Sequence, residues 1–87
     1  MMSQGIYTNN FSKVFSDLIK KSGTTCYKIN KFVGVDQGYL KRLRSGERQN
    51  PSPEIILKIS LALMHFSYNI TYGDIQELYG SVGRVIN

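Results

Sequence analysis

Tryptophan is absent from this 87-residue chain, cysteine occurs once, histidine once and proline twice. A single cysteine, Cys26, closes no internal disulfide, so a disulfide scaffold is excluded. Cys26, His65 and the six carboxylates are scattered without metal-ligand spacing, so neither a zinc finger nor a bound cofactor is expected. No uninterrupted apolar run approaches the roughly 20 residues of a membrane span, and the first residues carry no secretory pattern. Those two absences lead us to expect a cytoplasmic protein with no membrane partner. Acidic residues are also scarce, six against eleven Lys and Arg, for a formal net charge of +5 and a pI of about 9.5. Ten of the eleven cations lie between Lys13 and Lys58, which calls for a polyanionic partner, nucleic acid first. A chain this short buries only about 60–65% of its unfolded surface, so a large enclosed active site is not expected. No nucleophile, base and metal set converges in the sequence and no small-molecule substrate is evident, so the chain reads as a non-enzyme.

What is present is a succession of short helical patterns in one domain. Residues 1–9 mix small, polar and apolar side chains without a period and read as a flexible N-terminal arm. From residue 10 to residue 80 the pattern is regular. Phe11, Val14, Phe15, Leu18 and Ile19 recur at helical spacing, with Asn9 or Asn10 as cap and Gly23 just past the end. Lys20 and Lys21 fall in the last turn, where they complement the helix dipole or meet a phosphate.

The central stretch runs from Thr25 to Gly46 and divides at Gly34. Thr25 caps a helix over about Cys26 to Val33, with Ile29 and Val33 on one face, and Gly34 supplies the permissive backbone of a tight turn. Val35 enters that turn as a buried anchor. Asp36 caps a second helix over about Gln37 to Arg44, whose Leu40 and Leu43 face inward. Gln37, Gly38, Lys41, Arg42 and Arg44 are left outside, and Tyr39 either packs underneath or touches a phosphate. Two crossed helices, one with a basic outer face, describe a helix-turn-helix.

A polar loop then carries Arg48, Gln49 and Asn50, donors suited to a phosphate backbone or to solvent. The fourth helix opens with Ser52 as cap, Pro53 at the first helical position and Glu54 on the positive end of the dipole. It has two apolar stripes: Ile55, Ile59, Ala62, Leu63 and Phe66, and then Leu57, Leu61 and Met64. The second stripe needs cover from a fifth helix or from another subunit. His65 reads as a surface residue. Thr71 to Tyr79 forms the fifth helix, with Thr71 as cap, Ile75, Leu78 and Tyr79 inward and Gly80 as stop. Residues 81–87 form a tail in which Val82, Val85 and Ile86 suit a short strand, a docking arm or a frayed end.

The Thr25–Gly46 segment resembles the helix-turn-helix of the Cro/repressor-type, or XRE, family. The turn glycine Gly34, the aliphatics Ile29, Val33, Leu40 and Leu43 and the closing Gly46 carry the likeness. Phe15, Leu18 and Gly23 upstream, and the loop from Gly46 to Ser52 with its following apolar helix, extend it over roughly residues 11 to 79. This resemblance implies an all-α, five-helix, lambda-repressor-like DNA-binding domain in which helices 2 and 3 form the helix-turn-helix. It implies double-stranded DNA as partner, a homodimer, and a transcriptional regulator, a repressor on an operator. The base-reading positions fall on Gln37, Gly38, Lys41 and Arg42, and the phosphate contacts on Thr25, Cys26, Arg44, Arg48 and Gln49.

Three departures from the family pattern stand out. Cys26 replaces a glutamine-like polar residue, leaving the backbone amide as donor and the thiol as either a buried side chain or a redox group. Asn30 replaces an alanine at the helix crossing, so its amide needs a partner in the turn or in helix 3. Ile19 and Arg44 stand where the family pairs an arginine with an acidic residue, which leaves Arg44 either to a phosphate or exposed without a partner. Such departures leave a second reading, an antitoxin-like or adaptor module that keeps this fold and binds protein.

Overall fold

Four of the five helix starts are written in side chains that accept a hydrogen bond from the backbone three residues on. A computed structural model describes residues 10–82 and places among them five helices and no strand. They are α1 (Phe11–Ser22), α2 (Cys26–Val33), α3 (Gln37–Ser45), α4 (Pro53–Phe66) and α5 (Tyr72–Gly80). Thr25 Oγ1 accepts from Lys28 N at 3.1 Å and Asp36 Oδ2 from Tyr39 N at 2.9 Å. Ser52 Oγ accepts from Ile55 N at 3.3 Å. Thr71 and Asp74 form a reciprocal capping box, with bonds of 3.1 and 2.9 Å.

α1 differs from the expectation. Asn10 stands at its N-cap, but with φ −110° and ψ 15° it lacks the extended backbone that aims a capping side chain, and it makes no such bond. Its N–H donates instead to Ser81 O at 2.8 Å, joining the two ends of the described chain. α5 runs through Gly80, and Ser81, expected in the tail, is buried against the globule. The arm over residues 1–9 and the tail beyond Val82 lie outside the described residues.

The turns follow from glycine. Gly34 (φ 79°) ends α2 and Gly46 (φ 91°) ends α3, each in the left-handed region that other residues enter only at a cost. Between α2 and α3, Val35 is buried as expected. Asn30 Nδ2 donates to Val35 O at 2.8 Å, so this side-chain amide clamps the turn. Its size is accommodated because it supplies a partner to a carbonyl of the turn that the backbone leaves unpaired.

A single apolar core joins the helices, with Phe11, Phe15, Ile29, Leu40, Leu43 and Leu63 among its fully buried members. α4 is rotated relative to the expected stripe: Ile56 and Ser60 are buried beside Ile59, Ala62 and Leu63, whereas Ile55 is half-buried and Phe66 faces outward. Ser60 tolerates burial because its hydroxyl donates to Ile56 O at 2.7 Å. Leu57, Leu61 and Met64 stay 50–54% exposed, uncovered by α5. In α5, Leu78 is fully buried while Ile75 and Tyr79 are half-buried. Lys21 Nζ donates to Asp74 Oδ2 at 2.7 Å, tying α1 to α5. That bond and the one from Thr71 N–H hold the Asp74 carboxyl below its ordinary range. The backbone of α3 packs closely on α1 and α2 and lies farther from α4 and α5, which leaves its far side outward.

Candidate nucleic-acid interface

Leu40 and Leu43 anchor α3 in the core, and helical periodicity then turns Lys41 and Arg44 fully outward, with Gln37 and Arg42 half-buried beside them. The C-terminal end of the helix is held by Ser16, whose hydroxyl donates to Arg44 O at 3.3 Å. Gly46 N–H and Arg48 N–H both donate to Arg42 O at 3.1 Å, closing the helix and setting the loop. The four expected base-reading positions therefore share the outer side of one helix. Tyr39 packs partly against the core, in agreement with its expected role.

Gly38 has a role that its sequence position did not reveal. A Cβ there would lie 3.1 Å from Asp36 Oδ2 and 3.5 Å from an Arg42 terminal nitrogen. The capping carboxylate and the Arg42 guanidinium thus occupy the space that a side chain would take. Arg42 lies back over the first turn of α3, and its Nε is buried without a hydrogen-bond partner among the described residues. A buried donor left unpaired costs about 1–3 kcal/mol, which favours an acceptor that draws the side chain outward.

The expected phosphate contacts fall into two groups. At the start of α2, Thr25 is exposed and its hydroxyl oxygen caps the helix, leaving its proton for another acceptor. Cys26 is buried, so only its backbone amide remains suited to a phosphate at this helix start. Burial pushes its thiol pKa up, while the nearby Arg44 and Lys41 pull in the opposite direction. That net rise argues against a reactive thiolate. Arg44 and Lys41 are the cations whose charge reaches the Cys26 thiol, so this helix start is electropositive.

The second group is the loop after α3. Tyr39, Glu47, Arg48, Gln49 and Asn50 line a shallow depression of about 330 Å³. Arg48 is exposed, and no side-chain hydrogen bond or ion pair engages it among the described residues. Gln49 Nε2 donates to Gly46 O at 3.2 Å and so braces the loop in this conformation.

A third cluster, on α2 and α4, was missed from sequence. Phe32 stacks on His65 with centroids 4.0 Å apart and planes 9° apart, and meets Phe66 edge-on at 5.7 Å. Lys31 lies 5.4 Å over the Tyr27 ring. Only the outward position of Phe32, three residues after the buried Ile29, hinted at it. No group of three or more His, Cys, Asp or Glu placed to hold a metal occurs among the described residues, and none of the five helices is long and apolar enough to cross a membrane. No known family model, curated protein or solved structure matches this chain.

Proposed function

We propose that this chain is a sequence-specific double-stranded DNA-binding regulator of the XRE type with a lambda-repressor-like arrangement of its five helices, a repressor acting as a homodimer on an operator. The observation that carries the reading is the outer side of α3: Gln37, Lys41, Arg42 and Arg44 share one side of a helix whose other side is locked into the core. A helix of this size fits the major groove, with its first residues and outer face toward base edges. In this reading Gln37 pairs with adenine and Arg42 with guanine, each good bidentate pair discriminating by about 1–3 kcal/mol. Lys41 serves the same face as a flexible cation. Thr25, the Cys26 amide, Arg44, Arg48 and Gln49 hold the sugar-phosphate backbone on either side.

A salt titration tests this. Arg44 and Arg48 are the cations assigned to phosphates here, so log affinity should fall against log salt with a slope of about −2 per protomer. A flat response would overturn the DNA reading and favour the adaptor, which the exposed apolar side of α4 supports independently. Selection of bound duplexes from a random pool should return a palindrome if two copies bind together.

A further inference from the structure

An open hollow on the outer side of α2 takes no part in the proposed contact with DNA. Tyr27, Lys28, Lys31, Phe32 and Phe66 line it, and its volume is about 340 Å³. Its walls are rings, with Tyr27, Phe32 and Phe66 54%, 46% and 37% exposed. Those rings are also braced. His65 stacks on Phe32, Phe66 meets Phe32 edge-on, and Lys31 Nζ stands 5.4 Å over Tyr27. Both lysines are exposed, no ion pair engages either among the described residues, and no carboxylate lines the hollow.

We infer that this hollow docks an acidic segment of another protein, with one aromatic or large aliphatic side chain seated among the rings and neighbouring carboxylates meeting Lys28 and Lys31. The site goes beyond the proposed function, which gives none of these five residues a contact. Braced walls lower the ordering cost of docking, and the two cations at the rim select the charge of what arrives.

Other occupants fit less well. A small ligand needs enclosure over most of its surface, and these walls stand open. A nucleic-acid base stacks on a flat face, whereas Phe32 and Phe66 meet at 67° and His65 already covers one face of Phe32. The chain itself offers no matching segment, since residues 1–9 and 83–87 contain neither Asp nor Glu. Its six carboxylates are dispersed. The nearest pair, Asp74 and Glu77, is unsuited because Asp74 is tied to Lys21 and the neighbouring Leu78 is fully buried. A second copy therefore lacks the complement as well.

Selection from a displayed library of random short peptides against the full chain tests the inference. The selected peptides should carry Asp or Glu beside Phe, Tyr or Leu, shift the ring resonances of Tyr27, Phe32 and Phe66, and bind more weakly as salt is raised. K28E/K31E should keep the fold, since both side chains are exposed, and lower the affinity of a selected peptide about 10-fold or more. A peptide with Lys in place of its acids should gain affinity on that variant. No selection, a consensus without carboxylates, or shifts confined elsewhere overturns the inference. Should the variant fail to fold, the wild type decides, and a peptide affinity indifferent to salt overturns it. A random single-stranded oligonucleotide that displaces the peptide and shifts the same rings makes nucleic acid the occupant and equally overturns it. Peptide docking without a salt-dependent affinity for DNA keeps this site and removes the proposed function; DNA binding without peptide selection does the reverse.

Discussion

Asn30→Ala tests how α3 is presented, because it removes one clamp and leaves the turn's backbone sequence intact. Asn30 Nδ2 to Val35 O, at 2.8 Å, is part-buried, and Val35 itself is buried. Losing a hydrogen bond of this kind costs about 0.5–1.5 kcal/mol, and a carbonyl left without a partner adds to that as far as water fails to reach it. Alanine returns about 0.5 kcal/mol through its higher helix propensity. The net expectation is a destabilisation of about 1 kcal/mol, a fall in Tm of about 4–8 °C for a domain of this size. Asn30→Asp keeps the shape but turns the donor into a carboxylate facing a carbonyl, so it should cost more at neutral pH and recover as that carboxyl is protonated near pH 4. Thermal unfolding followed by circular dichroism reads both. If Asn30→Ala equals or exceeds the wild type, the amide is a bystander, and alanine suits this crossing equally well.

Arg42→Ala should relax base preference at one operator position, whereas Arg48→Ala should weaken binding to every duplex alike and reduce the salt slope by about 1; equal effects on selected and random DNA from both variants would refute that division. Asp74→Asn keeps an acceptor for Thr71 N–H but discharges the pairing with Lys21, and should cost about 0.5–1 kcal/mol at pH 7 in urea unfolding. Because the folded Asp74 carboxyl lies below its ordinary range, its stabilisation is complete above about pH 4 and fades as pH falls through the folded value. The variant's stability deficit should therefore shrink on acidification, and a constant deficit down to pH 2 would contradict the pairing.

The helix starts were legible because capping is local: Thr25, Asp36, Ser52 and Thr71 each act within three residues of themselves. The outward set on α3 was legible for a similar reason, since Leu40 and Leu43 orient the whole helix. α4 was misread by about one position because a helix apolar on nearly every side carries no internal mark of which side packs. Ile56 replaced Ile55 inside only through the arrangement of its neighbours. Asn10 shows the converse, a residue of capping type whose backbone conformation disables the cap. The crowding of Asp36 and Arg42 over Gly38 depends on side-chain paths that periodicity does not encode. Phe32 and His65 lie in separate helices and became neighbours only through packing.

α3 rests most closely on α1 and α2, and its outer side lies away from the exposed side of α4. Substitutions on these two outer faces should therefore add in free energy with little cross-talk. On the proposed reading, a lineage could retune which duplex it prefers by changing Gln37 or Lys41 without disturbing the apolar side of α4, or alter that side at Leu61 while keeping its target. Such separability would let duplicated copies of this small chain diverge quickly, since one substitution on either helix can change one face without unfolding the rest.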